Sequence, residues 1–268
     1  MFTRAVAAAA ALLIASASAA NSKRGLVFTP NSTFPNDAYI WTAPPTSLTW
    51  YYNYEALPSQ IFSNVSQADF EFVPMLWGAP SDINDKSFYN TIKDLIDERH
   101  VNITNILTFN EPDGPNVHGG SDMDPEVAAQ VWVNNIVPLQ EDYKALRIGL
   151  PACTGAPAGL EWTKKFLEAC SGLMSENEKT KKNCTFDFVP IHWYGNFEGL
   201  ASHMGEYSAA YVIPLSPFLP FSLSPRPRTN NFLTAQFSKQ VHVGHRVQPR
   251  RCQPARDPSL LQNIGPIL

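Results

Sequence analysis

Two short runs hold side chains whose types and spacing could do chemistry. The first is Leu107-Thr108-Phe109-Asn110-Glu111-Pro112-Asp113-Gly114, an apolar strand that ends in an amide and a carboxyl group before a proline–glycine turn. Catalytic groups of a parallel barrel sit where strands end, on the C-terminal face. A carboxyl group there suits a general acid that protonates a departing glycosidic oxygen. The amide beside it suits a bond to the sugar 2-OH that strengthens in the transition state. A general acid must hold its proton near working pH, so the pKa of Glu111 is expected to be raised. The plainer reading is a capping loop in which Glu111 and Asp113 satisfy backbone donors, and Asp113 is left with it.

The second run is Val189-Pro190-Ile191-His192-Trp193-Tyr194-Gly195. Side chains alternate along a strand, so His192 and Tyr194 fall on one side and Trp193 on the other. If the first pair points inward, both polar tips reach the cavity that holds Glu111. A core histidine and a packing tyrosine are the competing reading. Trp77, which closes another strand before Gly78, and the aromatic run Trp50 to Tyr54 offer flat faces for sugar rings or ordinary core contacts.

The elements that must position these groups repeat as strand, loop and helix. Candidate strands are Gly25–Thr29, Thr49–Tyr54, Glu71–Trp77, Asn105–Asn110, Arg147–Ala152 and Phe186–Tyr194. Helical periods lie between most of them. Phe88, Ile92, Leu95 and Ile96 follow Ser87, a candidate N-cap. Val127, Val131 and Ile136 follow Asp124-Pro125, an opening with proline in the first turn. Trp162, Phe166 and Leu167 mark a third helix, and Leu200, Met204 and Tyr207 a fourth. Such alternation predicts an α/β fold with parallel strands buried on both faces. A closed (β/α)8 barrel of the TIM type needs eight units, and only about six are legible before Tyr211. The expected fold is therefore an incomplete barrel over residues 25–211 with an irregular tail over 212–268.

Composition sets the outer bounds. The 268 residues carry a net charge of −4, which gives no electrostatic reason to expect a nucleic-acid partner. Apolar residues reach 44%, too many for a disordered chain, and four cysteines are too few for a disulfide scaffold. No apolar run is long enough to span a membrane. Residues 1–211 hold 13 Lys+Arg and 23 Asp+Glu, whereas residues 212–268 hold 7 and 1 together with nine of the 23 prolines. The two parts do not read as one protein. Neither a zinc site nor any cofactor is expected, because His192 and His203 lack a third ligand at metal spacing. Gly-x-Ser-x-Gly and phosphate-binding glycine loops are likewise absent from the sequence.

The first 20 residues resemble a signal peptide: Arg4, an apolar run from Ala5 to Ala15, and a cleavage site at Ala17-Ser18-Ala19. A short pro-segment over 21–24 would end at the dibasic pair Lys23-Arg24, which is equally well an ordinary exposed pair. A secreted, extracellular or cell-wall monomer is the expectation. Export would put N-glycans on the sequons at Asn31, Asn64, Asn102 and Asn183. It would also allow a bridge between Cys170 and Cys184, which flank the polar stretch 171–183. Cys153, inside an apolar strand, reads as a buried thiol.

Several motifs together carry a resemblance. Lys23-Arg24-Gly25-Leu26, Trp50-Tyr51-Tyr52-Asn53, Phe72-Val73-Pro74-Met75-Leu76-Trp77-Gly78 and Asn110-Glu111-Pro112-Asp113 are similar to those of glycoside hydrolase family 128. So are Gly149-Leu150-Pro151-Ala152 and His192-Trp193-Tyr194-Gly195. These fungal secreted or wall-associated proteins are also called alkali-sensitive-linkage-type glycosyl hydrolases. The resemblance implies a (β/α)8 barrel acting on β-1,3-glucan with retention, and Glu111 as acid/base. Asn110, Trp77, His192, Tyr194, Trp50 and Asn53 are the substrate-binding residues it suggests. A binding or wall-structural protein that holds glucan without cutting it is the alternative.

The resemblance also implies a nucleophile, a second glutamate on the seventh strand in a Trp-Val/Ile-Thr-Glu-Phe/Tyr motif. That motif is missing. No glutamate follows Glu206, and the one later acid is Asp257. A one-base shift of frame across Val241–Gln248 permits the reading Tyr-Met-Trp-Val-Thr-Glu-Tyr. The tail then reads as a retained intron from about Val212 to Gln236, followed by resumption out of frame. A divergent C-terminus is the other reading. On either, this chain lacks half of a catalytic pair and is expected to be inactive as written.

Overall fold

The computed structural model describes residues 24–31, 33–176, 182–211 and, for the backbone, 232–237. The chain divides into two units, Met1–Ser238 and Lys239–Leu268. The second unit lies outside the described residues, as do residues 1–20, expected as a signal peptide, Lys23 and the run Val241–Gln248. Among the described residues of the first there are seven strands: β1 (Gly25–Val27), β2 (Trp50–Tyr52), β3 (Glu71–Phe72), β4 (Asn105–Ile106), β5 (Arg147–Ile148), β6 (Phe188–Trp193) and β7 (Phe232–Phe237). The ladders β1–β2–β3, β4–β5 and β6–β7 are all parallel. Single parallel bridges, Met75 with Leu107 and Gly149 with Phe188, link β3 to β4 and β5 to β6. Each strand thus lies beside its neighbour in sequence, the order that strand–helix–strand crossovers impose.

Four α-helices make the crossovers of the later units: α1 (Ser87–Asp97), α2 (Pro125–Asp142), α3 (Ala158–Ser175) and α4 (Phe197–Tyr211). After β1 and β2 the chain instead makes 3-10 turns, Pro35–Trp41 and Gln60–Phe62. Helix α2 opens on Asp124, whose side chain accepts from the Glu126 N–H at 3.0 Å, with Pro125 in its first turn. Ser87 was expected to cap α1 but is its first residue. The Asp85 carboxylate accepts from the Ser87 N–H and takes that part. Among the described residues no helix is long and apolar enough to cross a membrane.

The pleat divides the apolar residues between two faces. Tyr51 packs with Phe28, Phe62, Phe70 and Phe72, while its neighbour Tyr52 joins Val73, Met75, Trp77 and Leu107 on the opposite side. The largest cluster lies where α1, α2 and α3 cover β4, β5 and β6. Ile106, Ile148, Ile191, Trp132 and Phe166 are almost wholly buried there. Each such side chain contributes about 1.5–3 kcal/mol by leaving water. Cys170 and Cys184 form a disulfide with Cα atoms 5.8 Å apart, which ties α3 to the segment entering β6.

Of the tail over 212–268, expected to be irregular, the described residues are 232–237, and these form β7 beside β6 in register, Phe188 with Phe232 through Trp193 with Phe237. The physical reason is that β6 leaves an edge of unpaired N–H and C=O groups, and Phe-Leu-Thr-Ala-Gln-Phe is rich in residues suited to a strand. Charge and proline content obscured a six-residue segment that contains neither a charge nor a proline.

Candidate active site

Glu111 follows Asn110, whose single bridge to Ala152 extends the β4–β5 pairing beyond the strands, and its backbone is unusual. Its φ of 44° lies in the left-handed region, where a side chain other than glycine is strained. Neighbouring bonds hold it there. The Glu111 N–H donates to the Ala152 carbonyl at 2.7 Å, and the Gly114 N–H donates to the Glu111 carbonyl at 2.9 Å. Asp113, two residues on, accepts from the Thr154 N–H at 2.7 Å and the Thr154 hydroxyl at 2.5 Å. The turn is therefore stitched to the segment that follows β5. Gly120 lies so close that a Cβ there would meet the Gly114 carbonyl oxygen at 2.2 Å, so only glycine fits.

The end of β6 supplies the partners of this carboxylate. His192 Nδ1 lies 2.9 Å from Glu111 Oε1, and the Tyr194 hydroxyl donates to the same oxygen at 3.0 Å. Strand alternation brings both tips to one side, while Trp193 turns to the other face against α4. The His192 and Glu111 side chains keep only 7% and 12% of their surface, whereas Tyr194 remains 55% exposed.

The electrostatics overturn the expected ionisation of Glu111. Burial pushes its pKa up, but the hydrogen bond and charge of His192, with the Tyr194 bond, outweigh burial and hold it below the ordinary 4.5. A general acid needs the opposite shift, which a neighbouring carboxylate would supply. Tyr194 and Tyr52 are both raised, each first by burial. The charge of Glu111 adds to both, and its hydrogen bond adds to Tyr194.

Asn110 is buried, and its Nδ2 donates to the Gly119 carbonyl at 2.9 Å. Among the described residues, neither its Oδ1 nor its second Nδ2–H makes a side-chain bond. Trp77, whose carbonyl accepts from the Asn110 N–H at 2.9 Å, lines an open cavity of about 360 Å³ with Tyr54, Met75, Pro80 and Phe88. Trp50 and Asn53 do not join the site. Trp50 pairs with Gly25 and Glu71 at the N-terminal end of the array, several residues of rise from Glu111, and its indole lies directly on Gly25. Asn53 falls on the other phase of the pleat, and its amide closes the following loop. Nδ2 donates to the Leu57 carbonyl at 2.9 Å, and Oδ1 accepts from the Glu55 N–H at 3.3 Å. Tyr52 and Tyr54 take their place, with ring centres 5.0 Å apart and Tyr52 within the field of Glu111. Their two-residue spacing from Trp50 was the available signal.

Elsewhere, Asn31, Asn64, Asn102 and Asn183 are all exposed. Cys153 is a buried free thiol, and burial pushes its pKa up. Among the described residues no group of three His, Cys, Asp or Glu side chains could hold a metal ion.

A parallel array with a carboxyl group at a strand's C-terminal end matches the comparison with known families. Residues 25–217 match the model of the glycosyl hydrolase catalytic core. The chain belongs to this family. It is similar to alkali-sensitive linkage protein 1 of Schizosaccharomyces pombe, with 26% identity over 199 residues. That alignment spans 74% of this chain but only 31% of the yeast protein. Among solved structures it is similar to a family 128 subgroup II endo-β-1,3-glucanase from Sorangium cellulosum, with a TM-score of 0.51 and 22% identity, covering 78% of this chain and 71% of that one. A subgroup II endo-β-1,3-glucanase from Pseudomonas viridiflava gives a TM-score of 0.48 and 23% identity over 61% and 59% of the two chains.

Proposed function

We propose that the chain carries the β-1,3-glucan site of an incomplete (β/α)8 barrel, with Glu111 as the acid/base of a retaining glycosidase whose nucleophile this sequence lacks. Similarity to the family 128 endo-β-1,3-glucanase of Sorangium cellulosum supports the substrate class, and the seven parallel strands of the described residues, in chain order, support the barrel. The observation that carries the reading is the Glu111 carboxylate, held on Oε1 by His192 and Tyr194 at a strand end. Because both bonds fall on one oxygen, Oε2 is the atom that would face a glycosidic oxygen. Retention needs a second carboxyl group about 5–5.5 Å away to attack the sugar. The six residues of β7 contain no acid.

The depressed pKa of Glu111 favours a second reading for the chain as written, a binder that holds glucan without cutting it. An ionised carboxylate accepts hydroxyl hydrogens well and donates no proton. Trp77 would supply a stacking face, and Tyr194, His192 and the Asn110 carbonyl would bond sugar hydroxyls. We further propose export after removal of residues 1–20, to the wall or the medium. The Cys170–Cys184 bridge and the four exposed sequons agree with this. The out-of-frame reading of the tail remains our proposal for the missing nucleophile.

Retention of the purified chain on insoluble β-1,3-glucan, with reducing ends assayed in parallel, tests both readings. Retention without release is expected of this chain, and release is expected once the Trp-Val-Thr-Glu frame is restored. A restored chain that left laminarin-type glucan intact would sink the substrate assignment.

A further inference from the structure

We propose that Trp193 is a positioning residue: its indole is a peg, seated among three glycines, that holds His192 and Tyr194 on Glu111. The inference rests on the reading of Glu111 as the functional carboxylate. Trp193 stands between the two residues that bond Glu111 and points to the opposite face of β6. Its indole is confined on several sides. A Cβ at Gly199 would lie 2.2 Å from the ring, one at Gly195 2.9 Å from Nε1, and one at Gly155 3.0 Å from the ring. Side chains at these positions would evict it. The Trp193 Nε1–H donates to the Asn196 carbonyl at 2.9 Å, and the His203 ring lies over it with centres 5.4 Å apart.

The slot also reaches the other half of the site. Gly155 follows Thr154, whose N–H and hydroxyl bind Asp113 in the turn that carries Glu111. The indole therefore braces, on one side, the loop that fixes the Glu111 turn and, on the other, the strand end that presents its partners. Residues 81 and 83 positions apart in sequence can hold 2.9 and 3.0 Å contacts only if both ends are fixed to the same body. Plain core packing would need neither the three-glycine slot nor the link to Thr154.

The test reads the Glu111 carboxyl group in the full chain and needs no catalysis. Its titration midpoint is followed by side-chain carbon NMR and assigned with Glu111→Gln. Trp193→Ala and Gly199→Ala should each shift the midpoint upward, because the bonds that lower it loosen while burial remains. Trp193→Phe should restore most of the parent midpoint. Gly205→Ala, on the same helix and with nothing within 4 Å of its Cβ, should leave it unchanged. Should Trp193→Ala fail to fold, Gly199→Ala decides, since alanine is the better helix former. Unchanged midpoints in the folded variants, with only a lower melting temperature, would overturn the proposal. If glucan retention fails while the midpoints move, the functional reading falls and the positioning role stands.

Discussion

The two ends of the strand array each hold a carboxylate bonded on one oxygen by two side chains, and they differ in backbone and in where those partners come from. At the N-terminal end Glu71 accepts from the Thr104 hydroxyl and, at 3.4 Å, from the Asn105 amide, both just before or within the neighbouring strand β4. Its backbone is ordinary strand, and its bonds staple two adjacent strands. At the C-terminal end Glu111 stands in left-handed backbone and takes its partners from β6, two strands away in the array. The exposed ring of Tyr194 stands beside it. A bond that merely stabilises is made by the nearest donor. Glu111 is held by distant donors on a strained turn, an arrangement that persists only where the surrounding structure over-determines it.

The largest expected break in this comparison is in chemistry. In a chain with the restored nucleophile frame, Glu111→Gln should lower laminarin hydrolysis by about 10²–10⁴-fold, the range for losing a general acid/base. Glu71→Gln in the same chain should keep the parent rate, measured as reducing ends released. If both substitutions abolished hydrolysis equally, the division between the two ends would fail.

Stability should sort the other way. Glu71→Ala leaves the part-buried Thr104 hydroxyl without its acceptor and should cost about 1–3 kcal/mol in urea unfolding, with glucan retention unchanged. Thr154→Val removes one donor to Asp113 and should cost about 0.5–1.5 kcal/mol. It should also weaken glucan retention, because the turn that carries Glu111 loses part of its stitch.

The smallest effect is the most specific. Because the folded pKa of Glu111 lies below 4.5, its ionised form stabilises the fold. That contribution is fully present above the ordinary value and is lost as pH falls through the lower folded value. Glu111→Gln should therefore flatten the acid side of the stability profile, read from urea midpoints as pH is lowered through the carboxylate range. Tyr194→Phe should flatten it only partly, since His192 remains and the exposed tyrosine bond is screened by water.

Much of this site is legible in the chain. Apolar alternation located the strands, and the carboxyl group at the end of Leu107–Asn110 stood out because little else explains an acid there. The two-residue period correctly put His192 and Tyr194 together and Trp193 apart. The same rule, applied to Asn53, would have excluded it as lying on the wrong phase. Trp50 shares the phase of Tyr52 and Tyr54 and is excluded only by its position at the other end of the strand. The aromatic content of the Trp50–Tyr54 run drew attention away from position. In the tail, net charge and proline content hid Phe232–Phe237, because a short parallel strand needs little beyond a waiting edge.

What the sequence by itself determined is the set of groups that can do chemistry and the side of the pleat each occupies, since both follow from residue type and a period of two. It also determined that no glutamate follows Glu206, which needs only the letters. The tertiary structure alone decided the ionisation of Glu111. That sign depends on a contest between burial and two donors 81 and 83 residues away, and no local pattern encodes distances of 2.9 and 3.0 Å across such a separation. It alone also decided that Trp193 lies in a slot of three glycines, because close approach between distant segments is a property of packing and not of spacing.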